Sequence, residues 1–185
     1  MFCGAKREKS PWRQTTILEF HSIRYQYIPM RRSYPQRRGL AERQLKQRLE
    51  GQGWLVWRAA SIALLRQTEV FPNVRRHYSK LIHLLEQERP GFAELLAYWA
   101  AVHHGLPDFL CYRAGAFLFV ECKLGHEQLS ALQKRCIQRL EVLGWTVEVH
   151  KLVEPCTKVR DAFIDFTGRK HIMERQLTLR QAARV

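Results

Sequence analysis

Apolar side chains recur at intervals of three and four residues in four segments, which is the pattern of amphipathic helices. The first segment starts at Leu40, two more lie within residues 61–104, and the fourth spans residues 129–143. The pattern breaks at residues that commonly end helices, namely Gly51, the sequence Arg89-Pro90-Gly91 and Gly144. We therefore predict four helices whose apolar faces pack into a core.

Between these segments lie short runs rich in aromatic and branched side chains, which favour β-strands. The runs cover residues 54–58, 108–112, 116–123 and 145–150. The short connection at residues 113–115 predicts that the second and third runs form a hairpin. The order of helices and strands indicates an α/β fold with a central mixed sheet flanked by helices.

The chain divides into a central domain with two basic extensions. Residues 1–38 hold nine Lys or Arg and two Asp or Glu, which is half of the formal net charge of +14. We interpret them as a basic N-terminal arm, either a solvated extension or a clamp on phosphates, and its apolar residues could make a short strand. Residues 39–153 form the domain, with a helical insert at 61–104. Residues 154–185 are a basic C-terminal tail or helix.

Composition restricts the class of protein and of partner. Of 185 residues, 46% are hydrophobic and 26% charged, which is globular composition. The 31 Lys and Arg against 17 Asp and Glu favour a polyanionic partner, either nucleic acid or an acidic membrane surface. No apolar run reaches the roughly 18 residues of a membrane span. The five cysteines lack zinc-site spacing and indicate reduced thiols, hence a cytoplasmic or nuclear protein.

Two carboxylates and one lysine are predicted to meet at one edge of the sheet. Glu121 and Lys123 lie two residues apart on a strand, so both side chains project from the same face. Asp108 begins the partner strand, and the hairpin would place it opposite Glu121. Neighbouring carboxylates repel one another, and a divalent cation would relieve this repulsion. Asp108, Glu121 and the backbone carbonyl of Cys122 would supply three oxygen ligands for Mg²⁺.

The motifs around these residues resemble the VRR-NUC branch of the PD-(D/E)XK nucleases. This branch occurs in the Fanconi-associated repair nuclease and in stand-alone phage and bacterial proteins. The resemblance covers about 45 residues, and more weakly residues 40–58. The matching residues are Gly105-Leu106-Pro107-Asp108-Phe109-Leu110, Phe119-Val120-Glu121-Cys122-Lys123, Gln128-Leu129-Ser130, Gln133, Leu140, Gly144 and Val147-Glu148-Val149-His150.

The resemblance implies a restriction-endonuclease-like fold and cleavage of phosphodiester bonds with Mg²⁺ or Mn²⁺. Asp108 and Glu121 would be metal ligands, Lys123 the catalytic lysine, and Gln133 a residue that arranges the site. The family also uses an acidic residue on its first helix, for which Glu42 is the candidate; the alternative is that Glu42 is an early-turn acid favoured by the helix dipole. The helical insert is longer than the family pattern, and the basic arm and tail have no counterpart in it.

These features predict a deoxyribonuclease that acts on branched, flapped or broken DNA in repair, recombination or phage biology. Whether cleavage is endonucleolytic or exonucleolytic stays open, and a homodimer would suit two-fold branched DNA. A non-catalytic nucleic-acid-binding module is the main alternative, and a membrane-surface or protein-interaction module ranks last. The candidate contacts to nucleic acid are Arg31, Arg32, Arg37, Arg38, Arg75 and Arg76. His103 and His104 precede the motif and could approach a metal or a phosphate, or cap a helix end.

Overall fold

The computed structural model describes residues 23–30, 39–66, 71–103 and 105–154, and the backbone of residues 158–164 and 170–176. The strands are β1 (Arg24–Pro29), β2 (Leu55–Arg58), β3 (Phe109–Arg113), β4 (Ala116–Leu124), β5 (Val147–Val153), β6 (Lys158–Ile164) and β7 (Lys170–Gln176). The α-helices are α1 (Leu40–Gly51), α2 (Pro72–Glu88), α3 (Phe92–Val102) and α4 (Ala131–Val142), and a 3-10 helix spans Ala59–Arg66.

Five strands form one mixed sheet in the order β1-β5-β4-β3-β2. The three strands β2, β3 and β4 are antiparallel neighbours, and the turn between β3 and β4 makes the predicted hairpin. The strands β4, β5 and β1 are parallel, with α4 as the connection from β4 to β5. This arrangement confirms the prediction of an α/β fold with a mixed sheet flanked by helices.

Helices cover both faces of the sheet because the strand residues alternate between two cores. One core joins Trp57, Leu110 and Phe119 of the sheet to apolar residues of α2, α3 and α4. The other core joins Val56, Cys111 and Val120 to Leu45 and Leu49 of α1. We name these the α4 side and the α1 side of the sheet. On β4, the odd-numbered residues therefore face the α4 side of the sheet and the even-numbered residues face the α1 side.

Strand β1 lies within the segment interpreted as the basic arm. Arg24–Pro29 pairs in parallel with β5, from Arg24 opposite Glu148 to Pro29 opposite Val153. Ile28 is buried on the α1 side. Of the structures considered for the apolar residues of the arm, the short strand is the one that forms, and the sheet therefore begins before residue 39.

The prediction of a helix or tail after residue 154 is wrong for residues 158–164 and 170–176. These segments are the antiparallel strands β6 and β7, which pair from Lys158 with Gln176 to Ile164 with Lys170. Val159, Phe163 and Ile164 in the first segment and Ile172 in the second favour strands, and Gly168 lies between the two segments in the sequence, which is typical of a hairpin. In the described part of the chain no helix is both long and apolar enough to cross a membrane.

Candidate active site

The candidate site lies where β4 extends beyond its neighbour β3. The pairing of these strands starts with Phe109 opposite Val120, whereas β4 continues to Leu124. By the same register Asp108 comes opposite Glu121, as the sequence predicted. The last residues of β4 are thus paired with β5 but not with β3, which leaves an open edge next to Asp108.

The side chain of Asp108 accepts the hydrogen bond that a backbone carbonyl of β3 would accept if the strand pairing continued. Its Oδ2 accepts a hydrogen bond from the Cys122 backbone N–H at 2.8 Å, and its own carbonyl accepts from the N–H of Ala59 at 3.1 Å. The N–H and C=O of one strand residue point to the same side, so the Cys122 carbonyl also faces this edge. One more ladder pair would set Cys122 opposite Pro107, which has no N–H to donate to that carbonyl. The prediction that the carbonyl is a metal ligand stays a prediction.

Glu121 and Lys123 form an ion pair on the α4 side of the sheet. The Nζ of Lys123 lies 2.7 Å from Oε1 of Glu121, and the exposed fractions of the two side chains are 13% and 1%. A carboxylate as buried as this requires a cation or a proton. Lys123 supplies part of that compensation, and the pair confirms that the two side chains project from the same face.

Gln133 links the N-terminus of α4 to this ion pair. Its side-chain amide donates from Nε2 to Oε1 of Glu121. Its Oε1 accepts from the backbone N–H of Ser130 at 3.0 Å, while the Ser130 hydroxyl accepts from the Gln133 N–H at 3.1 Å. This reciprocal pair is a capping box, which the spacing Ser-x-x-Gln specifies. One side chain therefore both starts the helix and holds Glu121.

Glu42 approaches the site from the α1 side. It lies in the first turn of α1, and its Oε2 is 2.6 Å from the guanidinium of Arg58, at the end of β2. The charge of Glu42 raises the pKa of Asp108, which indicates that the two carboxylates are near each other. Glu42 is thus close to the site and paired with Arg58. The sequence alone did not single out Arg58; its place at the end of the strand beside Asp108 was the available signal.

Burial and like charge raise the pKa of both central carboxyls. Loss of water contact is the main cause for Glu121, followed by repulsion from Asp108, and its pKa reaches about 7. Burial also raises the pKa of Asp108, although the hydrogen bond from Cys122 opposes it. Burial opposes the charge on Lys123, but its contact with Glu121 raises the pKa overall. Asp108, Glu121 and Lys123 together therefore carry more negative than positive charge when ionised, in a site that is largely buried from solvent.

Gly105 brings the loop that carries Asp108 against the start of α4. Its φ of +112° lies in the region that favours glycine, and an added Cβ would come within 2.9 Å of the backbone carbon of Leu132 and 3.1 Å of the Gln133 nitrogen. Both neighbours are backbone atoms of a helix, so they cannot move aside. This close approach fixes the distance between the loop and α4.

Replacing Gly105 with alanine is expected to lower the free energy of unfolding by at least about 2 kcal/mol, from backbone strain and the contact with α4. Urea unfolding followed by circular dichroism measures this. The matched control is Gly51→Ala, because Gly51 has no atom within 4 Å of an added Cβ. Equal stability of the two variants would contradict the proposed close approach.

Of the six predicted arginine contacts, two lie within the described residues. Arg31, Arg32, Arg37 and Arg38 lie outside the described residues, as does His104. Arg75 and Arg76 are exposed in the first turns of α2. His103 is exposed at the end of α3, beside the ring of Tyr98. Contacts of these side chains with nucleic acid stay predictions.

The cysteines of the sheet are buried. Cys111 and Cys122 lie in the core on the α1 side, and Cys136 is half-buried on α4. Burial is the main cause of a raised pKa in all three, to about 12 for Cys111 and about 11 for Cys136. These thiols stay protonated at neutral pH and are therefore poor nucleophiles.

Comparison with known proteins does not identify a family. Neither a scan against models of protein families nor a search of curated proteins found a match to this chain. Within the described residues, no three or more His, Cys, Asp or Glu side chains are grouped so that they could hold a metal ion. Any metal bound here would depend on two carboxylates together with backbone, water or substrate oxygens.

Proposed function

We propose that the chain is a metal-dependent nuclease that hydrolyses DNA phosphodiester bonds at the open edge of β4. The observation that carries the proposal is the convergence of Asp108, Glu121 and Lys123, which the hairpin register and the 2.7 Å ion pair bring together. Gln133, from the motif on α4, contacts the same carboxylate. These are four of the five residues for which the resemblance to VRR-NUC nucleases implies a role, and the fifth is Glu42.

The donor atoms at this edge suit Mg²⁺ or Mn²⁺. Asp108, Glu121 and the Cys122 carbonyl offer oxygen atoms, which these cations prefer, and Mg²⁺ commonly binds through one or two carboxylates together with substrate phosphates. The raised pKa of both carboxyls supports the fit, because a divalent cation would relieve the repulsion that raises them. When bound, such an ion supplies Lewis-acid chemistry that stabilises charge on a phosphodiester and activates water.

The protein side chains have separable tasks in this proposal. Lys123 is the catalytic residue: its ammonium would orient the attacking water or stabilise the negative charge that develops on the phosphate oxygens. Gln133 is a positioning residue, because it acts on the site through Glu121. Arg58, whose side chain is more than half exposed beside Glu42, would neutralise a neighbouring phosphate. Hydrolysis forms a bond from a water oxygen to phosphorus and releases the sugar oxygen, which takes up a proton.

The proposal extends to fold and substrate. A mixed sheet with α1 on one side and α4 on the other is compatible with a restriction-endonuclease-like fold. The net charge of +14 favours a polyanion, so binding should weaken steeply as salt is added. We propose branched, flapped or broken DNA as the substrate, in repair, recombination or phage biology.

A panel of end-labelled junctions, flaps, single strands and blunt duplexes, incubated with Mg²⁺ or Mn²⁺, tests the proposal. We expect cleavage of at least one branched or flapped substrate, and a loss of at least about 100-fold in Asp108→Asn, because a carboxylate near the reacting phosphate is removed. Glu88→Gln, an exposed change of equal charge at the end of α2, is the control and should cut normally.

Equal cutting by the unmodified chain and Asp108→Asn would indicate a contaminant and refute the proposal. Binding of DNA without cleavage of any substrate, with either metal, would favour the non-catalytic nucleic-acid-binding module instead. The positions of the cuts on the junction and flap would separate endonucleolytic from exonucleolytic action.

A further inference from the structure

A second lysine lies beside the catalytic lysine on the same side of the sheet. Strands β4 and β5 pair in parallel with Lys123 opposite Lys151, and paired residues share a face. Val147 and Val149 lie four and two positions before Lys151 on β5, so they share its face, and both belong to the core on the α4 side. Lys151 is therefore the neighbour of Lys123 in the direction that leads away from Asp108.

The two lysines differ in whether a carboxylate lies beside the positive charge. Lys123 has Glu121 at 2.7 Å, whereas Lys151 is in no ion pair with any described residue. Yet Lys151 is only 7% exposed, so water compensates its charge less than it would on an open surface. Lys151 instead makes a cation–π contact, which is weaker than an ion pair: its Nζ lies 5.7 Å from the centre of the Tyr25 ring. The position is therefore suited to an anion that arrives with a ligand.

Aromatic side chains continue this row onto β1. Tyr27 pairs with Lys151, and Tyr25 pairs with Val149, so both tyrosines lie on the α4 side of the sheet. Tyr25 is 39% exposed and Tyr27 is half-buried against Val153. A lysine beside an exposed aromatic ring is a combination that binds single-stranded nucleic acid, because the cation contacts a phosphate and a base stacks on the ring.

We infer that Lys151 and Tyr25 form a binding site for the single-stranded part of the substrate, with Lys151 on a backbone phosphate and Tyr25 stacked on a base. This inference rests on the proposed function, because the site continues from Lys123. It narrows the substrate class to DNA with a single-stranded flap, gap or tail. A blunt duplex keeps its bases stacked on one another and cannot offer one to Tyr25.

Binding of a labelled 15-nucleotide single strand, measured by fluorescence anisotropy in EDTA over a range of salt, tests the inference without cleavage. We expect Tyr25→Ala to weaken binding about tenfold, which lies within the range that the stacking of one base on a ring contributes, and Tyr25→Phe to retain it. For Lys151→Met we expect weaker binding and a salt dependence with a log–log slope lower by about 0.7, as for one phosphate contact on a single strand. Affinity for a blunt duplex should change less than twofold.

Thermal unfolding separates binding from a structural role. Lys151→Met removes a buried charge that has no ion-pair partner in the described structure, so the Tm should stay equal or rise while affinity falls. Lys46→Met, which removes an exposed lysine paired with Glu50 on α1, is the control for charge and should leave single-strand affinity unchanged. If Lys151→Met does not fold, Tyr25→Ala decides the outcome.

Single-strand affinity that stays within twofold in Lys151→Met and Tyr25→Ala would overturn the inference. That result is distinct from failure of the proposed function, which would appear as an absence of metal-dependent cutting by the unmodified chain. The affinity measurement in EDTA does not depend on cutting. The inference and the proposed function can therefore fail separately.

Discussion

Substituting methionine for Lys123 is expected to slow DNA cleavage by about 10²–10³-fold, the usual effect of removing a charged group that stabilises a transition state. Methionine is one atom shorter than lysine but keeps an unbranched apolar stem, so the packing at 13% exposure should survive. The loss should appear in the rate of single-turnover cleavage with saturating enzyme, because that rate is insensitive to weaker binding. Mn²⁺ in place of Mg²⁺ should not restore it, since the missing group is an ammonium.

The same substitution has a second consequence, because Lys123 compensates Glu121. Without the ammonium at 2.7 Å, the pKa of Glu121 should rise above its value of about 7. Residual cleavage in Lys123→Met should then need a higher pH than cleavage by the unmodified chain. Lys46→Met on the other side of the sheet provides the matched control and should cut at the normal rate. Cleavage by Lys123→Met within threefold of normal would exclude a catalytic role.

The core of this site could be predicted from the sequence because its contacts are local. Asp108 and Glu121 are 13 residues apart in one hairpin, and the alternation of a strand places Glu121 and Lys123 on one face. The spacing from Ser130 to Gln133 specifies a capping box, and that box places the amide on the first turn of α4. Each of these relations needs no knowledge of distant parts of the chain.

The remainder depends on pairings between distant segments. The parallel contact of β1 with β5 joins residues more than 100 positions apart, and no local pattern in 24–29 specifies its partner. The proximity of Tyr25 to Lys151 follows from that pairing, so it could not be predicted from local patterns. Similarly, Arg58 reaches Glu42 only when β2 and α1 have packed together. The signals that could have marked these residues were a charged side chain at the end of apolar β2, for Arg58, and one within the apolar strand β5, for Lys151.

A glutamine at position 121 is expected to make the protein more stable above pH 7 and to abolish cleavage. In the folded chain the pKa of Glu121 is about 7, against an ordinary value of 4.5, chiefly because the carboxyl is buried and secondly because Asp108 repels it. Between these two pH values the folded state keeps a proton that the unfolded state has released. Stability therefore falls as the pH rises from 4.5 to 7, and the loss is complete above 7.

The interval between the folded and unfolded pKa values of Glu121 corresponds to a loss of roughly 3 kcal/mol in the free energy of unfolding at 25 °C. Urea unfolding in EDTA at pH 5 and pH 8 should show a decrease of this order in the unmodified chain. Most of it should disappear in Glu121→Gln, whose amide carries no charge at either pH. Glu88→Gln, an exposed change on α2, should keep the full decrease. A decrease of equal size in Glu121→Gln would show that this carboxyl is not the source.

Metal should restore the stability that ionisation of Glu121 removes from the unmodified chain, and it should have little effect on Glu121→Gln. On the proposed function Mn²⁺ would bind the ionised carboxylates of the folded state, so it should raise the Tm at pH 8 in the unmodified chain by mass action. Glu121→Gln lacks one of the proposed ligands and should respond little, although it is the more stable protein without metal. Cleavage by the unmodified chain should increase as the pH rises through about 7, because in the proposed function the ionised form of Glu121 is the metal ligand. A stable, inactive and metal-insensitive Glu121→Gln would show that the buried charge lowers stability at this edge and serves metal binding there.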